Sequence, residues 1–241
     1  MFTLRCKKSS LIFLGFTVFL LFTACNSPST TANEERLLPT NTAVPVAEVE
    51  NEDTAVSIIK PITVTYFTPA QQEGPYYTVN KPEDRDNDLV NFAGANGLPN
   101  GQILEFDGIV YDADGFPIEG ITIEIWQTDN SGAYLHPNDP ATDSRDRNFQ
   151  FYGEAITDEM GYYKFRTILP GLYEPRPRHI HVKVKLDGQE LLTTQFYFAG
   201  EIDLQGDEAA MLIATVPSED AEGNSILVGE RDIILNYSQR N

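Results

Sequence analysis

Two histidines one residue apart, His179 and His181, are the side chains best suited to bind a metal ion in this sequence. Side chains at positions i and i+2 lie on the same face of a β-strand, so two imidazoles there can hold one ion. They are two of only three histidines in the chain. An isolated pair of this kind is also typical of surface residues on a half-buried strand, so the neighbouring residues must decide between the two interpretations.

Two tyrosines upstream of the pair, Tyr134 and Tyr173, are candidates for the remaining ligands as phenolate oxygens. Two neutral nitrogens and two anionic oxygens suit a small and highly charged ion. Ferric iron fits this set better than zinc, which prefers thiolate and imidazole. The residue types therefore predict an Fe(III) site, although either tyrosine taken alone is equally typical of a packing residue.

A strand must carry the histidine pair, and residues 179–186 show the alternation of one. Apolar residues occupy every second position from Ile180 to Leu186, and histidines and lysines occupy the positions between them. This pattern predicts one face against a core and one polar face. Asp187 and Gly188, which follow directly, predict a hairpin turn.

Short strands separated by turn residues are predicted along most of the chain after about residue 61. The predicted strands lie at residues 104–111, 121–126, 162–165, 179–186, 191–198 and 232–235, with turns at 112–115 and 158–161. Only one short helix is predicted, at residues 207–213. We therefore expect an all-β fold with long loops, arranged as a sandwich or barrel.

The first 24 residues have the features of a signal peptide. Three basic residues precede an apolar run from Leu11 to Phe22, which is too short to favour a membrane span. The run ends before Cys25 in a pattern that resembles the lipobox of bacterial lipoproteins, although Phe22 stands where leucine is usual. We expect an extracytoplasmic protein with a lipid on Cys25 that anchors it to a membrane. The alternative is an ordinary secretory signal and a secreted protein.

Residues 25–58 are rich in small and polar residues and contain no aromatic residue, which predicts a flexible, lipid-anchored linker ahead of a domain at residues 59–241. The net charge of −19 argues against binding to nucleic acid or to anionic lipid. Of the two cysteines, Cys6 lies in the signal peptide, so no internal disulfide is possible in the mature chain.

Seven segments of the chain form an ordered set between about residues 66 and 236. They are residues 68–77 (TPAQQEGPYY), 85–86 (RD), 108–120 (GIVYDADGFPIEG), 123–134 (IEIWQTDNSGAY), 165–173 (FRTILPGLY), 176–181 (RPRHIH) and 194–198 (TQFYF). The set resembles the intradiol ring-cleavage dioxygenases, the family of catechol and protocatechuate dioxygenases. The resemblance implies a prealbumin-like β-sandwich and an Fe(III) cofactor. It also implies that both atoms of O2 enter a catechol-type aromatic substrate, giving a cis,cis-muconate-type diacid.

The resemblance assigns the four ligands to particular positions. Tyr134 and His181 match the equatorial iron ligands, and Tyr173 and His179 match the axial ones. Tyr173 would also act as a base toward the substrate when it leaves the iron.

Further residues match the substrate pocket of the family. Arg176 matches an arginine that stabilises the anionic substrate, and Gln195 matches a polar residue beside it. Tyr76 and Tyr77 match residues that line the pocket. Arg176 is also consistent with a simple ion-pair partner in an acidic protein.

Two features depart from the family and two other functions stay open. The segment between Tyr173 and His179 is short and lacks tryptophan, which indicates an open pocket. No helical dimerisation region precedes the domain, so the oligomeric state is left open. One alternative is a catalytically inactive, surface-anchored β-sandwich that binds aromatic or carbohydrate ligands. The other is a structural stalk domain of the prealbumin-like type.

Overall fold

The computed structural model describes residues 60–239. The signal peptide predicted at residues 1–24, the linker predicted at residues 25–58 and the lipidation site predicted at Cys25 lie outside the described residues. The predicted domain boundaries therefore stay predictions. Within residues 60–239, no helix has the length and hydropathy that a membrane crossing requires.

Regular structure in the described part consists of nine strands and two short 3₁₀ helices. The strands are β1 (Ile103–Tyr111), β2 (Thr122–Trp126), β3 (Tyr152–Ile156), β4 (Tyr162–Ile168), β5 (His179–Leu186), β6 (Gln189–Phe198), β7 (Leu212–Glu219), β8 (Ser225–Glu230) and β9 (Ile233–Ile234). The 3₁₀ helices are Thr142–Ser144 and Gly206–Met211. The all-β prediction is confirmed. The helix predicted at residues 207–213 is the 3₁₀ helix at Gly206–Met211, which leads directly into β7.

The strands follow the order β3-β2-β5-β6-β7-β8-β1-β4, with β9 beside β1. Strand β7 connects the two halves of this order, because it pairs parallel with β6 and antiparallel with β8. Phe106 on β1 and Phe196 on β6 are not neighbours in the sheet, yet their rings meet edge to face with 6.2 Å between centroids. The two halves therefore pack face to face, which is the predicted β-sandwich.

Alternating apolar residues from both halves fill the space between the sheets. The central members of this core are Leu104, Phe106, Phe165, Ile123, Ile125, Ile180, Val182, Val184 and Phe196. The alternation predicted for β5 is confirmed, since Ile180, Val182 and Val184 have no exposed surface. Asp187 and Gly188 form the predicted turn, with φ angles of 51° and 80°.

The polar face of β5 is also buried, which the alternation did not predict. His179, His181 and Lys183 are only 5%, 4% and 6% exposed. Residues 69–85, here called the covering segment, lie over this face of the sheet. At one end the backbone N–H of Gln71 donates a hydrogen bond to the carbonyl oxygen of Thr193 on β6 at 2.8 Å.

The covering segment crosses the strands in the order β6, β5, β2 and β3. Gln195 on β6 donates to the carbonyl of Gln72, and Lys183 on β5 pairs with Glu73. Glu124 on β2 accepts from the hydroxyl of Tyr77, further along the segment. These contacts hold the segment in place without regular structure, and they bring its tyrosines beside the histidine pair.

Candidate active site

Three of the four predicted metal ligands converge on one point above the polar face of β5. The Nε2 atoms of His179 and His181 are 3.1 Å apart. The hydroxyl oxygen of Tyr134 lies 3.2 Å from each of these nitrogens. Two residues that are adjacent on one strand face thus meet a tyrosine that is 45 residues away in sequence.

Burial keeps both imidazoles neutral. It lowers the pKa of His179, although a hydrogen bond to the carbonyl oxygen of Pro177 opposes the effect. Burial, together with the neighbouring His179 and Arg176, lowers the pKa of His181 well below its usual value. Both rings therefore present uncharged nitrogen at neutral pH, as metal binding requires.

A backbone hydrogen bond also fixes which nitrogen of His179 faces the site. Its Nδ1 lies 2.7 Å from the carbonyl oxygen of Pro177. A carbonyl oxygen can only accept, so Nδ1 carries the proton and the lone pair of Nε2 is left free. That lone pair faces Tyr134 and His181.

Tyr134 enters the site from the loop after β2. Its backbone N–H donates to Oδ2 of Asp139 at 2.6 Å, which closes a local turn. Gly132 has a φ of +89°, and a Cβ atom there would lie 2.2 Å from the carbonyl oxygen of Leu172. Only glycine lets this loop approach the segment that carries Tyr173 so closely. The closeness of the two loops places Tyr134 and Tyr173 at the same end of the sandwich.

Burial raises the pKa of the Tyr134 phenol, and the neighbouring Tyr173 and Asp139 add to this effect. Arg176 opposes it. A phenolate at this position therefore needs a neighbouring cation to compensate for the loss of solvation.

Tyr173, the fourth predicted ligand, faces a different partner. Its hydroxyl lies 3.4 Å from the hydroxyl of Tyr76, and this is its hydrogen bond in the structure. Its ring meets the ring of Tyr134 edge-on, with 5.6 Å between centroids. Tyr173 is thus at the site, but its oxygen does not lie within hydrogen-bonding distance of the other three predicted ligand atoms.

Tyr76 connects the covering segment to both tyrosines. Its ring centroid lies 5.2 Å from that of Tyr134 and 5.6 Å from that of Tyr173. The hydrogen bond with Tyr173, together with burial, raises the pKa of Tyr76 to about 12. Its hydroxyl therefore stays protonated at neutral pH. The third histidine, His136, packs against the same ring at 5.5 Å.

Arg176 and Gln195 form the hydrogen-bonded group beside the histidines. Nη2 of Arg176 donates to Oε1 of Gln195 at 2.7 Å and to the hydroxyl oxygen of Tyr197 at 3.0 Å. The hydroxyl of Tyr197 donates to the same Oε1 at 2.7 Å. Nε2 of Gln195 donates to the backbone of Gln72 at 2.8 Å. The guanidinium group is therefore held by a buried amide that is itself fixed by the covering segment.

Two further aromatic residues, Tyr197 and Trp126, lie beside the candidate site. Tyr197 is the cross-strand partner of His179, and Trp126 is the cross-strand partner of His181. Trp126 stacks on the His181 ring, with 4.7 Å between centroids and 6° between planes. Alternation from Gln195 indicates the face of Tyr197, but the place of Trp126 depends on the register between β2 and β5.

Tyr77 lies apart from Tyr76. Its ring meets Trp126 edge-on at 4.9 Å, and its hydroxyl donates to Glu124 at 2.7 Å. The predicted contact of Tyr77 with substrate stays a prediction.

The three converging donors fit a metal ion. Neighbouring ligands on one ion with bonds of about 2.1 Å lie about 3 Å apart, which is the separation observed here. Two neutral nitrogens and a phenol oxygen are three of the four donors predicted for ferric iron. Within residues 60–239, histidine, cysteine and acidic side chains form no group of three or more that suits a metal, so tyrosine oxygen is what completes this set.

Two residues beside the candidate site reach solvent, whereas the three converging ligand residues are buried. Arg176 is exposed, and Leu172, next to Tyr173, is 49% exposed. A groove of about 580 Å³ lies elsewhere, among residues of β1, β4, β7 and β8, and none of the candidate site residues lines it. The open pocket predicted from the short segment between Tyr173 and His179 stays a prediction.

Comparisons with known proteins identify relatives over most of the described part. A family model described as dioxygenase matches residues 72–176. The chain is 35% identical over 182 residues to the protocatechuate 3,4-dioxygenase beta chain of Burkholderia cepacia, covering 68% of this chain and 77% of that protein. It is 36% identical over 154 residues to a catechol 1,2-dioxygenase of Acinetobacter baylyi, covering 56% of this chain. That match spans 47%, about half, of the catechol enzyme.

Solved structures of similar fold agree with these relatives. The dioxygenase domain of a dioxygenase carbohydrate-binding protein fusion from Streptomyces sp. SirexAA-E has a TM-score of 0.56 and 31% identity, covering 71% of this chain and 99% of that one. A catechol 1,2-dioxygenase from Acinetobacter sp. ADP1 has a TM-score of 0.55 and 30% identity. The match covers 70% of this chain and 63% of that one. With its sandwich fold and with relatives above 30% identity, the chain belongs to the intradiol ring-cleavage dioxygenase family.

Proposed function

We propose that this protein is a non-haem Fe(III)-dependent intradiol dioxygenase that inserts both atoms of O2 into a catechol-type aromatic and releases a cis,cis-muconate-type diacid. The observation that carries the proposal is the convergence of Tyr134, His179 and His181 within 3.2 Å of one another. The names of the relatives support the substrate class.

Four residues would hold the iron: Tyr134, Tyr173, His179 and His181. Chelation to bound ferric iron would make the catechol ring electron-rich enough to react with O2. The remaining steps depend on the side chains of this chain.

Tyr173 is proposed to act as a base. A catechol must lose two protons to chelate through both oxygens. The Tyr173 oxygen, as a phenolate, would accept one of them, and hydroxide would accept the other. Tyr76 supports this role, because its hydroxyl lies within hydrogen-bonding distance of the Tyr173 oxygen.

Arg176 is proposed to stabilise the anionic substrate. Its guanidinium group is already oriented by Gln195 and Tyr197, so little reorganisation is needed as charge develops. Tyr76 and Tyr77 are the proposed substrate-contacting residues of the covering segment. Tyr76 has the stronger support because it touches Tyr134.

Substituted and bulky catechols are the proposed substrates, because the short segment between Tyr173 and His179 favours an open pocket. The exposure of Leu172 and Arg176 beside the site supports this proposal. Turnover of a panel of catechols tests this point, and activity limited to unsubstituted catechol would contradict it.

The visible spectrum of the purified, iron-loaded protein tests the proposed reaction. Phenolate bound to ferric iron should give a charge-transfer band, anaerobic catechol should shift it, and O2 should then bleach it while diacid appears. A folded but colourless and iron-free protein would leave the catalytically inactive binding module as the better interpretation.

We also propose that Cys25 carries a lipid that anchors the mature protein to a membrane outside the cytoplasm. The lipobox-like residues before Cys25 support this proposal. Detergent-phase partitioning of the full chain from a bacterial host tests it, with Cys25→Ala as the matched variant. Equal partitioning of both proteins would favour an ordinary secretory signal.

A further inference from the structure

His181 lacks the hydrogen bond that fixes the ring of its neighbour. Nδ1 of His179 is bonded to a backbone carbonyl, whereas Nδ1 of His181 is buried and has no hydrogen-bond partner. A histidine that binds metal is almost always oriented by a hydrogen bond to its other ring nitrogen. Some other contact must therefore set the plane of the His181 ring.

The stacking contact with Trp126 sets the plane of the His181 ring in place of that hydrogen bond. The two rings are nearly parallel, 6° apart in plane and 4.7 Å apart in centroid, and the indole has no exposed surface. The indole Nε1 is also buried without a hydrogen-bond partner. Packing alone therefore determines the position of Trp126, and the position of the indole determines the plane of the imidazole.

Tyr77 packs on the indole and is itself held firmly. Its ring meets that of Trp126 at 81°, and Nζ of Lys183 lies 4.2 Å from the centre of the tyrosine ring. The hydroxyl donates to Oε2 of Glu124 at 2.7 Å. The tyrosine ring can therefore shift little without breaking its hydrogen bond to the buried Glu124.

Glu124, which accepts the hydrogen bond from Tyr77, is itself held by two lysines. It is 2% exposed, and its Oε1 accepts from Lys81 at 2.8 Å and from Lys185 at 2.5 Å. A buried carboxylate is stable only when it is paired and hydrogen-bonded in this way. Strand β2 places Glu124 two residues before Trp126, so both side chains lie on the same face.

We propose that Glu124 and Tyr77 are positioning residues for His181 and that they act through Trp126. The inference rests on the proposed function, since it concerns the orientation of an iron ligand. It gives Tyr77 a role in holding the metal site that does not require contact with substrate.

The single tryptophan of the chain provides a direct readout. All indole fluorescence comes from Trp126, so iron bound to the stacked His181 should quench it. Iron affinity is measured by titrating the metal-free protein with ferric citrate. The quenching and the position of the charge-transfer band are recorded together.

Tyr77→Phe keeps the aromatic ring and removes only the hydroxyl. We expect it to weaken iron affinity roughly 10-fold or more and to shift the charge-transfer band. Glu124→Gln should do the same. The double variant should lose no more iron affinity than the single variant that binds iron more weakly, because the two residues act in one chain of contacts.

Tyr162→Phe is the matched control. It removes a tyrosine hydroxyl that donates to Asp107 at 3.0 Å, far from the site, and should leave iron affinity and the band unchanged. Circular dichroism checks that each variant is folded. If Glu124→Gln does not fold, Tyr77→Phe decides the question alone.

The two proposals fail in different ways. A folded wild-type protein that binds no iron would overturn the proposed function and this inference with it. Wild-type protein that binds iron while Tyr77→Phe binds it equally well, with the same band, would overturn the inference alone. If the losses of iron-binding free energy in the two single variants add fully in the double variant, the inference is also overturned.

Discussion

The hydroxyl groups of Tyr76 and Tyr173 lie 3.4 Å apart, on the covering segment and on the segment that precedes β5. Tyr173 therefore has a hydrogen-bond partner outside the group formed by Tyr134 and the two histidines. The two tyrosines that the sequence predicts as iron ligands differ in their burial. Tyr134 is 2% exposed, whereas Tyr173 is half-buried.

Removing the two tyrosine hydroxyls should have unequal effects on iron binding. Tyr134→Phe deletes an oxygen 3.2 Å from both histidine nitrogens and should weaken iron affinity by about 100-fold or more. Tyr173→Phe should weaken it less, since its oxygen bonds to Tyr76. Competition titration with a chelator measures both. Equal losses would contradict the difference between the two positions.

Arg176→Lys should reduce catalysis while leaving the fold intact. Lysine keeps the charge but cannot hold Gln195 and Tyr197 with one planar group. We expect kcat for catechol to fall by about 100-fold, in line with the loss of one oriented donor. Steady-state kinetics test this, with thermal unfolding as the check on stability. An unchanged kcat would mean that Arg176 has a structural role only.

Gln195→Leu should destabilise the protein. Gln195 is 1% exposed, and its amide group makes hydrogen bonds with Arg176, Tyr197 and Gln72. Leaving such partners unpaired costs about 1–3 kcal/mol of the free energy of unfolding. Urea denaturation measures the loss.

The matched control for that substitution is Gln102→Leu, at an exposed position. It should change the free energy of unfolding by less than about 0.5 kcal/mol. If both variants lose the same free energy of unfolding, the buried network contributes no more to stability than a surface amide does.

Glu124 should make stability depend on pH in the acid range. Burial by itself would raise its pKa, but hydrogen bonds from Lys185, Lys81 and Tyr77 outweigh this and lower it from 4.5. The unfolded chain then binds a proton more readily than the folded one. The stabilisation is complete above pH 4.5 and is lost as pH falls through the lower folded value.

Glu124→Gln should therefore be less stable than wild type near neutral pH. The difference in the free energy of unfolding between the two proteins should become smaller below pH 4.5. Unfolding curves at several pH values measure this. Glu83→Gln, at an exposed position, serves as the control. A gap that stays constant with pH would show that Glu124 contributes packing rather than charge.

Phe196→Ala should test the face-to-face packing of the sandwich. Phe196 has no exposed surface and contacts Phe106 across the core. The substitution should cost about 3–5 kcal/mol of the free energy of unfolding. Val216→Ala, at a position that is 56% exposed, should cost far less. Similar losses at both positions would contradict this core.

Much of the local structure was predictable because strand alternation and turn chemistry depend on residues close in sequence. The stretch from Ile180 to Leu186 predicts β5, and Asp187 with Gly188 predicts its turn, both as observed. The pairing of His179 with His181 follows from the same period of two. Their convergence with Tyr134 was expected from the types of residue and from the resemblance of the surrounding motifs.

The sequence by itself thus determined the all-β class, the strand that carries the histidine pair and the residue types of the candidate metal site. Only the tertiary structure decided that the polar face of β5 is buried, that Trp126 stacks on His181 and that Tyr173 bonds to Tyr76. The physical reason is distance along the chain. Cross-strand register and the path of the covering segment depend on contacts between residues tens of positions apart, and local periodicity carries no information about these contacts.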